Sequence, residues 1–282
     1  MPVTSSPLRY PGGKTIYAKM LMSVIDHNDL SHCTFVEAFA GGAGSAITLL
    51  LSKKVSAIIL NDFDRAIYSF WYSILHNTEE FLHLMHHTSI TVNEWYKQRE
   101  IYRAKPNNAL QLGFASFFLN RCNRAGILLA NPIGGLKQNG TYRIDARFKK
   151  DKLDEKIRKI AKHRDAIEIY NLDAIEFIKE LKLKHSHRKF LIYFDPPYYK
   201  KGELLYFNHY RHDDHEKLSY HIRNCVFPWL LSYDNQSEIK TIYKDFPIYL
   251  KKLRYSVSKR AIAQELIISN LVMPKDLQVL QS

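Results

Sequence analysis

A short apolar run, Phe190–Phe194, ends abruptly in the tetrapeptide Asp195-Pro196-Pro197-Tyr198. An apolar run of this length that is bounded by a sharp break predicts a buried strand. Two consecutive prolines cannot continue the strand, because each fixes φ and lacks a backbone N–H. An acid, a bare carbonyl and an aromatic ring are therefore held in one loop at a strand end, where open α/β sheets bind ligands. Such a loop offers acceptors and a stacking face, which suit an amino group on a flat heterocycle.

The N-terminal part has the order strand, glycine-rich turn, helix, strand and acid. The predicted elements are strand Thr34–Phe39, turn Gly41–Gly44, helix Ser45–Ser52 and strand Val55–Leu60. This order is typical of nucleotide-type α/β folds, in which glycines let a ligand approach the backbone. Asp62 follows the second strand, a position that suits the ribose hydroxyls of an adenosine-bearing cofactor. The alternative is that Asp62 caps a helix that begins near Arg65.

The middle of the chain has a different character. Residues 69–162 are mostly helical in pattern and contain scattered His, Arg and Tyr, which indicates an insertion between strands. We expect residues 1–68 and 163–282 to form the sheet-containing domain and residues 69–162 to form the insert. The other predicted elements are helix Thr15–His27, strand Ala166–Tyr170, helix Ala174–Lys182, a helix capped by Asp213 or Asp214, strand Phe227–Tyr233, and an antiparallel pair, Ile248–Lys252 and Leu266–Ile268.

The composition favours a nucleic-acid partner. The formal net charge is +13, and aromatic residues make up 13% of the chain. Phosphates attract Lys and Arg while bases stack on rings, so this combination favours nucleic acid over a membrane surface or a merely basic surface. No run reaches the roughly 18 apolar residues of a membrane span, and the N-terminus lacks the layout of a signal peptide. Three widely spaced cysteines predict a cytoplasmic protein without disulfides or a zinc site.

The histidines His209, His212 and His215 are spaced by three and could share one helical face. No cysteine or acid completes a recognisable set of ligands with them. We therefore expect no metal site.

Four motifs that follow one another along the chain resemble the α-class, Dam-like (D12-type) DNA adenine-N6 methyltransferases. They are Tyr10–Lys14, Phe35–Gly44, Asn61–Asp62 and Asp195–Tyr198. The resemblance implies an α/β fold with a Rossmann-like class I methyltransferase sheet, helices on both faces, and a mostly helical target-recognition insert. It also implies a site-specific enzyme that transfers a methyl group from S-adenosylmethionine to an adenine flipped out of double-stranded DNA.

The resemblance also implies three sets of functional residues. The catalytic set is Asp195, Pro196, Pro197 and Tyr198. The cofactor-binding set is Tyr10, Lys14, Gly41, Gly42, Asp62, Asp173 and Asp195. The DNA-binding set is Arg121, Asn123, Arg124, Arg143, Lys259 and Arg260, for which phosphate contacts or plain surface charge are the alternatives to base contacts. One departure from the family is Glu37-Ala38-Phe39, where Glu-Pro-Phe is common.

Two other functions remain alternatives at this stage. A cytosine-N4 DNA methyltransferase would act on a chemically similar amino group, although Ser in place of Asp195 would be its signature. A catalytically silent DNA-binding regulator of the same fold would not need an intact Asp195 or Asp62. The motifs are shared by enzymes of restriction–modification systems, which act beside a cognate restriction enzyme, and by phage enzymes and orphan regulators.

Overall fold

The computed structural model describes residues 4–9, 17–185, 188–200, 210–254, 262–274 and 278–279. The helices in these ranges are α1 (Ala18–His27), α2 (Gly44–Leu51), α3 (Arg65–His76), α4 (Thr78–His87), α5 (Val92–Ala104), α6 (Ala109–Cys122), α7 (Lys150–Ala161), α8 (Ala174–Lys184), α9 (His212–Arg223) and α10 (Ser237–Ile242). The strands are β1 (Thr34–Glu37), β2 (Ala57–Asn61), β3 (Ile167–Tyr170), β4 (Phe190–Phe194), β5 (Trp229–Asp234), β6 (Ile248–Arg254), β7 (Ile262–Ser269) and β8 (Gln278–Val279). In these ranges, no helix combines the length and apolar character that crossing a membrane requires.

The strands form one mixed sheet in the order β3-β2-β1-β4-β5-β7-β6-β8. Strands β1 to β5 are parallel to one another, whereas β7 is antiparallel to β5 and to β6, and β6 is antiparallel to β8. The direction of winding reverses between β1 and β4, so the loops that leave these two strands diverge. That reversal opens a crevice at the carboxyl ends of the strands, which is the usual ligand site of such sheets.

Alternating residues of the central strands bury both faces of the sheet. On β1, Phe35 joins the apolar cluster on one face and Val36 joins the cluster on the other. The first cluster includes residues of α1 to α7, and the second includes residues of α8 and α9. The expected Rossmann-like sheet with helices on both faces is therefore confirmed.

Helices α3 to α7 extend the first cluster away from the sheet. Phe70, Phe81 and Phe117 are fully buried, and their ring centroids are 5.3–5.7 Å apart. Such aromatic contacts add to the stability that burial alone provides. Because this aromatic group belongs to the same cluster as Phe35, the helices of residues 69–162 share a continuous core with the sheet. The boundaries of the insert stay a prediction.

One predicted helix start is wrong. Helix α9 begins at His212, with Arg211 as its N-cap, so Asp213 and Asp214 both lie inside the first turn. Asp214 acts from within the helix, because its carboxylate accepts a bond of 3.0 Å from the Arg211 backbone N–H. An acid three residues after the N-cap often reaches back in this way. The acids that suggest an N-cap in the sequence therefore lie in the first turn of the helix and not before it.

Candidate active site

The glycine turn after β1 is held in place by the end of β2. Gly41 has a φ of 46°, a left-handed conformation that favours glycine. Its N–H donates to Oδ2 of Asp62 at 2.7 Å, and its carbonyl accepts from Nε1 of Trp71 at 2.9 Å. Gly42 is buried beside it. The two glycines expected to contact the cofactor thus lie at the crevice between β1 and β4.

Asp62 braces this turn and is not a helix cap. Its Oδ1 accepts from the Asp64 backbone N–H at 2.9 Å, while Asp64 caps α3 by accepting from the N–H of Ala66 at 3.0 Å. The helix-cap alternative therefore belongs to Asp64, two residues later. Burial raises the pKa of Asp62 to about 7, with the nearby charge of Asp64 adding to the effect. The residue stays partly accessible at the crevice.

Glu37, the last residue of β1, supports the turn from beneath. Its side chain is fully buried, and its Oε1 accepts from the backbone N–H of Ala46 in the first turn of α2 at 2.9 Å. Ala43, which precedes that helix, has a φ of 45° and provides no side-chain cap. Burial raises the pKa of Glu37 to about 8, and the charge of Asp195 acts in the same direction. Glu37 therefore caps α2 from the neighbouring strand.

Two asparagines join the loops that follow β1, β2 and β3. The buried amide of Asn61 donates to the carbonyls of Ala38 and Leu172 at 3.1 and 3.0 Å, and its oxygen accepts from the Leu172 N–H. Asn171 donates to the carbonyls of Asp62 and Phe63 at 2.7 and 3.1 Å. The sequence motif contains Asn61, but its role requires knowledge of which loops are neighbours.

The far side of the crevice carries an acid and several rings. Asp173 caps α8, with its Oδ1 accepting from the Ile175 N–H at 2.9 Å. The Phe63 ring is 59% exposed directly after Asp62. Tyr210 lies with its ring centroid 6.2 Å from that of Phe39. Exposed or half-buried rings beside an acid offer a stacking face for a purine.

The Asp195–Tyr198 loop leaves β4 directly opposite the glycine turn, and β5 holds it. Ser232 donates to Oδ1 of Asp195 at 2.8 Å and lies 2.8 Å from the hydroxyl of Tyr193. Asp234 accepts from the backbone N–H groups of Tyr199 and Lys200 at 2.9 and 3.2 Å. Both β5 side chains are buried, so the loop is attached to the sheet on each side of its prolines.

The Tyr198 ring is attached to a third strand. Its hydroxyl donates to Oε1 of Glu265 on β7, and the hydroxyl of Tyr17 donates to Oε2 of the same carboxylate. Pro196 is buried, while Pro197 and Tyr198 are partly exposed. The four catalytic residues expected from the sequence are thus together at the crevice. Ser232, Asp234 and Glu265 were not expected, since nothing near them in the sequence marks them.

Two of the residues expected to bind DNA face the protein interior. Asn123 is fully buried, with its Oδ1 accepting from Nε1 of Trp95 at 2.6 Å and its Nδ2 donating to the carbonyls of Ile127 and Leu128 at 2.9 Å. Arg121 donates to the carbonyls of Pro7 and Arg147, and burial lowers its pKa to about 10. Side chains engaged in this way are not placed to read bases.

Asn120 joins this region to the N-terminal segment. Its Oδ1 accepts from the backbone N–H of Arg9 at 2.7 Å, and its Nδ2 donates to the carbonyls of Arg9 and Gly126 at 2.7 and 2.9 Å. Gly126 has a φ of 80°, and a Cβ there would lie 2.3 Å from the Arg9 carbonyl oxygen. The chain just before Tyr10 is therefore fastened to the end of α6.

Other members of the DNA-binding set are accessible. Arg124 and Arg143 are exposed, as is Tyr142, over whose ring the guanidinium of Arg147 lies at 5.8 Å. Together with Lys137 they give the surface of residues 124–147, here called the recognition loop, a basic and aromatic character. The remaining expected residues, Tyr10, Lys14, Lys259 and Arg260, lie outside the described residues.

The histidines contact tyrosines. His212 places Nδ1 3.0 Å from the Tyr199 hydroxyl, and His215 places Nδ1 2.7 Å from the Tyr233 hydroxyl. Burial lowers the pKa of His215 to about 4, so this ring is neutral at pH 7. His209 lies outside the described residues, and in the described part of the chain no group of three His, Cys, Asp or Glu side chains could hold a metal ion.

Comparisons with known proteins place the chain in a family. In overall structure it is similar to the rRNA methyltransferase aviRa from Streptomyces viridochromogenes, with 12% identity, 92% of this chain and 85% of that chain covered, and a TM-score of 0.40. It is also similar to yhhF from Escherichia coli, with 13% identity, 91% and 84% covered, and a TM-score of 0.34. Curated proteins include no match. The model of the D12 class N6 adenine-specific DNA methyltransferases matches residues 10–257, so the chain belongs to that family.

The family membership confirms that the chain is an adenine-specific DNA methyltransferase, as the four motifs predict. Such an enzyme acts on DNA and requires a methyl donor. The cytosine-N4 alternative does not fit this family.

Proposed function

We propose that the enzyme transfers a methyl group from S-adenosylmethionine to N6 of an adenine that is flipped out of double-stranded DNA. The observation that carries this proposal is the position of Asp195, whose carboxylate lies at the end of β4 and opposite the glycine turn of β1. A donor bound at the turn and a base bound at Asp195 would meet in one crevice.

The residues of the crevice fit S-adenosylmethionine. The partly accessible carboxylate of Asp62 lies at the end of β2, where it suits ribose hydroxyls, and the exposed Phe63 ring beside it suits a purine. Gly41 and Gly42 leave room for the ligand near the backbone, and Asp173 borders the adenine side. Tyr10 and Lys14 complete the proposed set from the sequence. When bound, this group supplies a methyl group that is already electrophilic on a sulfonium centre.

The Asp195–Tyr198 loop, here called the catalytic loop, prepares the nucleophile. The adenine N6 lone pair is delocalised into the ring, which makes the amino group a poor nucleophile. The Asp195 carboxylate and the Pro196 carbonyl accept hydrogen bonds from the two N–H groups of N6. These hydrogen bonds favour a tetrahedral nitrogen and stabilise the positive charge that develops on it. Tyr198 stacks on the base, and Pro197 keeps the loop rigid. The N6–methyl bond forms as the methyl–sulfur bond breaks, and one N6 proton then passes to water.

The recognition loop and the insert select the adenine. A base in duplex DNA is inaccessible while stacked, and extruding it costs a few kcal/mol. Arg124 and Arg143 are exposed and can contact phosphates or guanine, and Lys259 and Arg260 stay proposed contacts from the sequence. We assign Arg121 and Asn123 a different role, which is to hold the recognition loop and the N-terminal segment in place. The proposed target-recognition insert is residues 69–162.

Transfer of tritiated methyl groups tests the proposal. The wild-type protein should label double-stranded DNA from tritiated S-adenosylmethionine, and Asp195→Ala should lower the rate by about a thousandfold or more, because the charge-stabilising acceptor is lost. Asp245→Ala is the matched control, since Asp245 is an exposed acid paired with Arg223 on the surface. Absence of label from every DNA tested would reject the proposal and favour the silent regulator.

We also propose that the enzyme acts in the cytoplasm. In a restriction–modification system, the partner of the methyltransferase is a cognate restriction enzyme, and we propose such a partner for this protein. Cleavage of unmethylated but not of methylated DNA by a neighbouring nuclease would support that setting, and equal cleavage of both would reject it.

A further inference from the structure

Glu265 places a buried carboxylate between two parts of the active site. It lies on β7, is only 2% exposed, and accepts hydrogen bonds from the hydroxyls of Tyr17 and Tyr198. Tyr17 directly precedes α1, whereas Tyr198 closes the catalytic loop after β4. Segments that are distant in the chain are thus joined through one side chain.

The sheet register strengthens this arrangement. Glu265 on β7 pairs with Asp234 on β5, and Asp234 holds the backbone N–H groups of Tyr199 and Lys200. Neighbouring acids of two strands therefore hold the side chain of Tyr198 and the backbone that follows it. A ring that is held at both its backbone and its hydroxyl has its long axis fixed, so it cannot swing out of the crevice without breaking a hydrogen bond.

A buried carboxylate is costly unless its hydrogen bonds are satisfied, and a packed apolar residue would be a less costly occupant of a strand interior. Hydrogen bonds to a charged acceptor are about twice as strong as neutral ones. Burial, together with the charge of Glu265, raises the pKa of Tyr17 well above its usual value, so this phenol keeps its proton and donates. The bond from Tyr17 is thus maintained at neutral pH.

We propose that Glu265 is a positioning residue for methyl transfer: it holds the ring of Tyr198 in position against the target base and fixes that ring relative to Tyr17. This inference rests on the proposed stacking of Tyr198 on adenine. Glu265 touches neither the donor nor the base in this scheme. It acts through Tyr198, so its loss should slow the chemical step more than it weakens the binding of the donor.

Single-turnover methyl transfer at saturating DNA and S-adenosylmethionine tests the inference. Tyr198→Phe keeps the ring and removes the bond, and we expect the rate to fall about tenfold or more. Glu265→Ala should lower the rate by a similar or larger factor. Glu265→Gln can still accept from one hydroxyl and donate to the other, so it should recover most of the rate that Glu265→Ala loses.

Tyr243→Phe is the matched control, because Tyr243 is also buried but its hydroxyl has no hydrogen-bond partner among the described residues. It should leave the rate unchanged. Fluorescence of 2-aminopurine at the target position provides a second readout: the wild-type protein should quench the flipped base by stacking, and Tyr198→Phe and Glu265→Ala should quench it less. Donor affinity should change less than about threefold in every variant.

The outcomes separate the inference from the function on which it rests. Wild-type rates in folded Tyr198→Phe and Glu265→Ala, with wild-type quenching in both, would overturn the role of Glu265 and leave the methyltransferase intact. If Glu265→Ala does not fold, Tyr198→Phe still decides. A wild-type protein that methylates no DNA would overturn both proposals together. Slowed transfer with unchanged donor affinity and restored activity in Glu265→Gln would support the inference.

Discussion

The catalytic loop and the recognition loop hold their polar residues in opposite ways. In the catalytic loop, functional groups at the crevice are fixed by buried side chains on β5 and β7, namely Ser232, Asp234 and Glu265. In the recognition loop, the backbone is held by a buried amide at its edge, that of Asn123, while Arg124 extends into solvent.

The difference follows from what each region does. Methyl transfer requires reacting atoms to be aligned within a fraction of an ångström, so groups that are fixed in advance accelerate it. Contacts with DNA tolerate side chains that become ordered on binding, at a cost of about 0.5–1.5 kcal/mol for each such side chain. The functional groups of the catalytic loop are therefore fixed before the substrate binds. In the recognition loop the backbone is held in place, and the exposed arginines become ordered when DNA binds.

Removing the support of the catalytic loop should have the largest effect. Asp234→Ala leaves the N–H groups of Tyr199 and Lys200 without their acceptor and frees the loop after its prolines. We expect kcat to fall by about 10²–10³-fold, equivalent to about 3–4 kcal/mol, with DNA affinity little changed. Steady-state kinetics measures this, with Asp245→Ala as control. A kcat near that of the wild type in folded Asp234→Ala would mean that the loop does not depend on β5.

Removing the support of the recognition loop should instead lower stability. Asn120→Ala deletes three hydrogen bonds with the backbone of Arg9 and Gly126 at a fully buried site. The free energy of unfolding should fall by about 2 kcal/mol, because buried groups are left unsatisfied. Denaturant unfolding measures the loss, and Asn139→Ala at an exposed position of the same loop is the control. Equal stability of the two variants would contradict a structural role for Asn120.

Removing an exposed arginine should weaken the binding of DNA and leave the stability of the protein unchanged. Arg124→Ala and Arg143→Ala should each weaken DNA binding about tenfold, or about 1.4 kcal/mol, and reduce the salt dependence of binding. Stability should be unchanged, since both side chains are exposed. Lys179→Ala, an exposed basic position on α8, is the control in a titration at several salt concentrations. Binding unaffected by either arginine would remove them from the DNA-binding set.

The smallest expected effect is at the cap of α2. The pKa of Glu37 is raised from 4.5 to about 8, so the folded protein holds a proton that the unfolded chain loses. Its contribution to stability therefore falls as pH rises through this window, and between pH 7 and pH 8 the loss should be about 1 kcal/mol. Glu37→Gln has no such proton, so thermal unfolding of the two proteins at both pH values measures the difference. Parallel pH dependence in the two proteins would contradict the raised pKa.

The sequence predicts local features well and long-range contacts poorly. Strand β4 has the predicted bounds, and the glycine turn and the catalytic loop lie at the predicted strand ends, because apolar runs and prolines act locally. Glu265 acts on Tyr198 across 67 positions of the chain, and only the pairing of β5 with β7 brings it there. No spacing rule reveals such a contact.

Burial explains the other differences. Asn123 and Arg124 are adjacent polar residues in one motif, yet one is fully buried and the other is exposed. The turn at the end of α6 decides which of them faces the core, and that turn depends on Gly126 fitting against Arg9. Likewise, Asp62 and Asp64 are both plausible helix caps by sequence, and the position of Gly41 determines that Asp62 braces the turn instead.

Adenine N6 is methylated, on the function proposed above, at the loop that is fixed between β4, β5 and β7. Analysis of the modified nucleosides in DNA from an unmethylated host that expresses the enzyme tests it most directly, with the sequence around each modified base read in the same sample. We expect N6-methyladenine in a defined sequence context, and we expect none when Asp195→Ala is expressed in place of the wild-type enzyme. N4-methylcytosine, or N6-methyladenine that persists with Asp195→Ala, would contradict it.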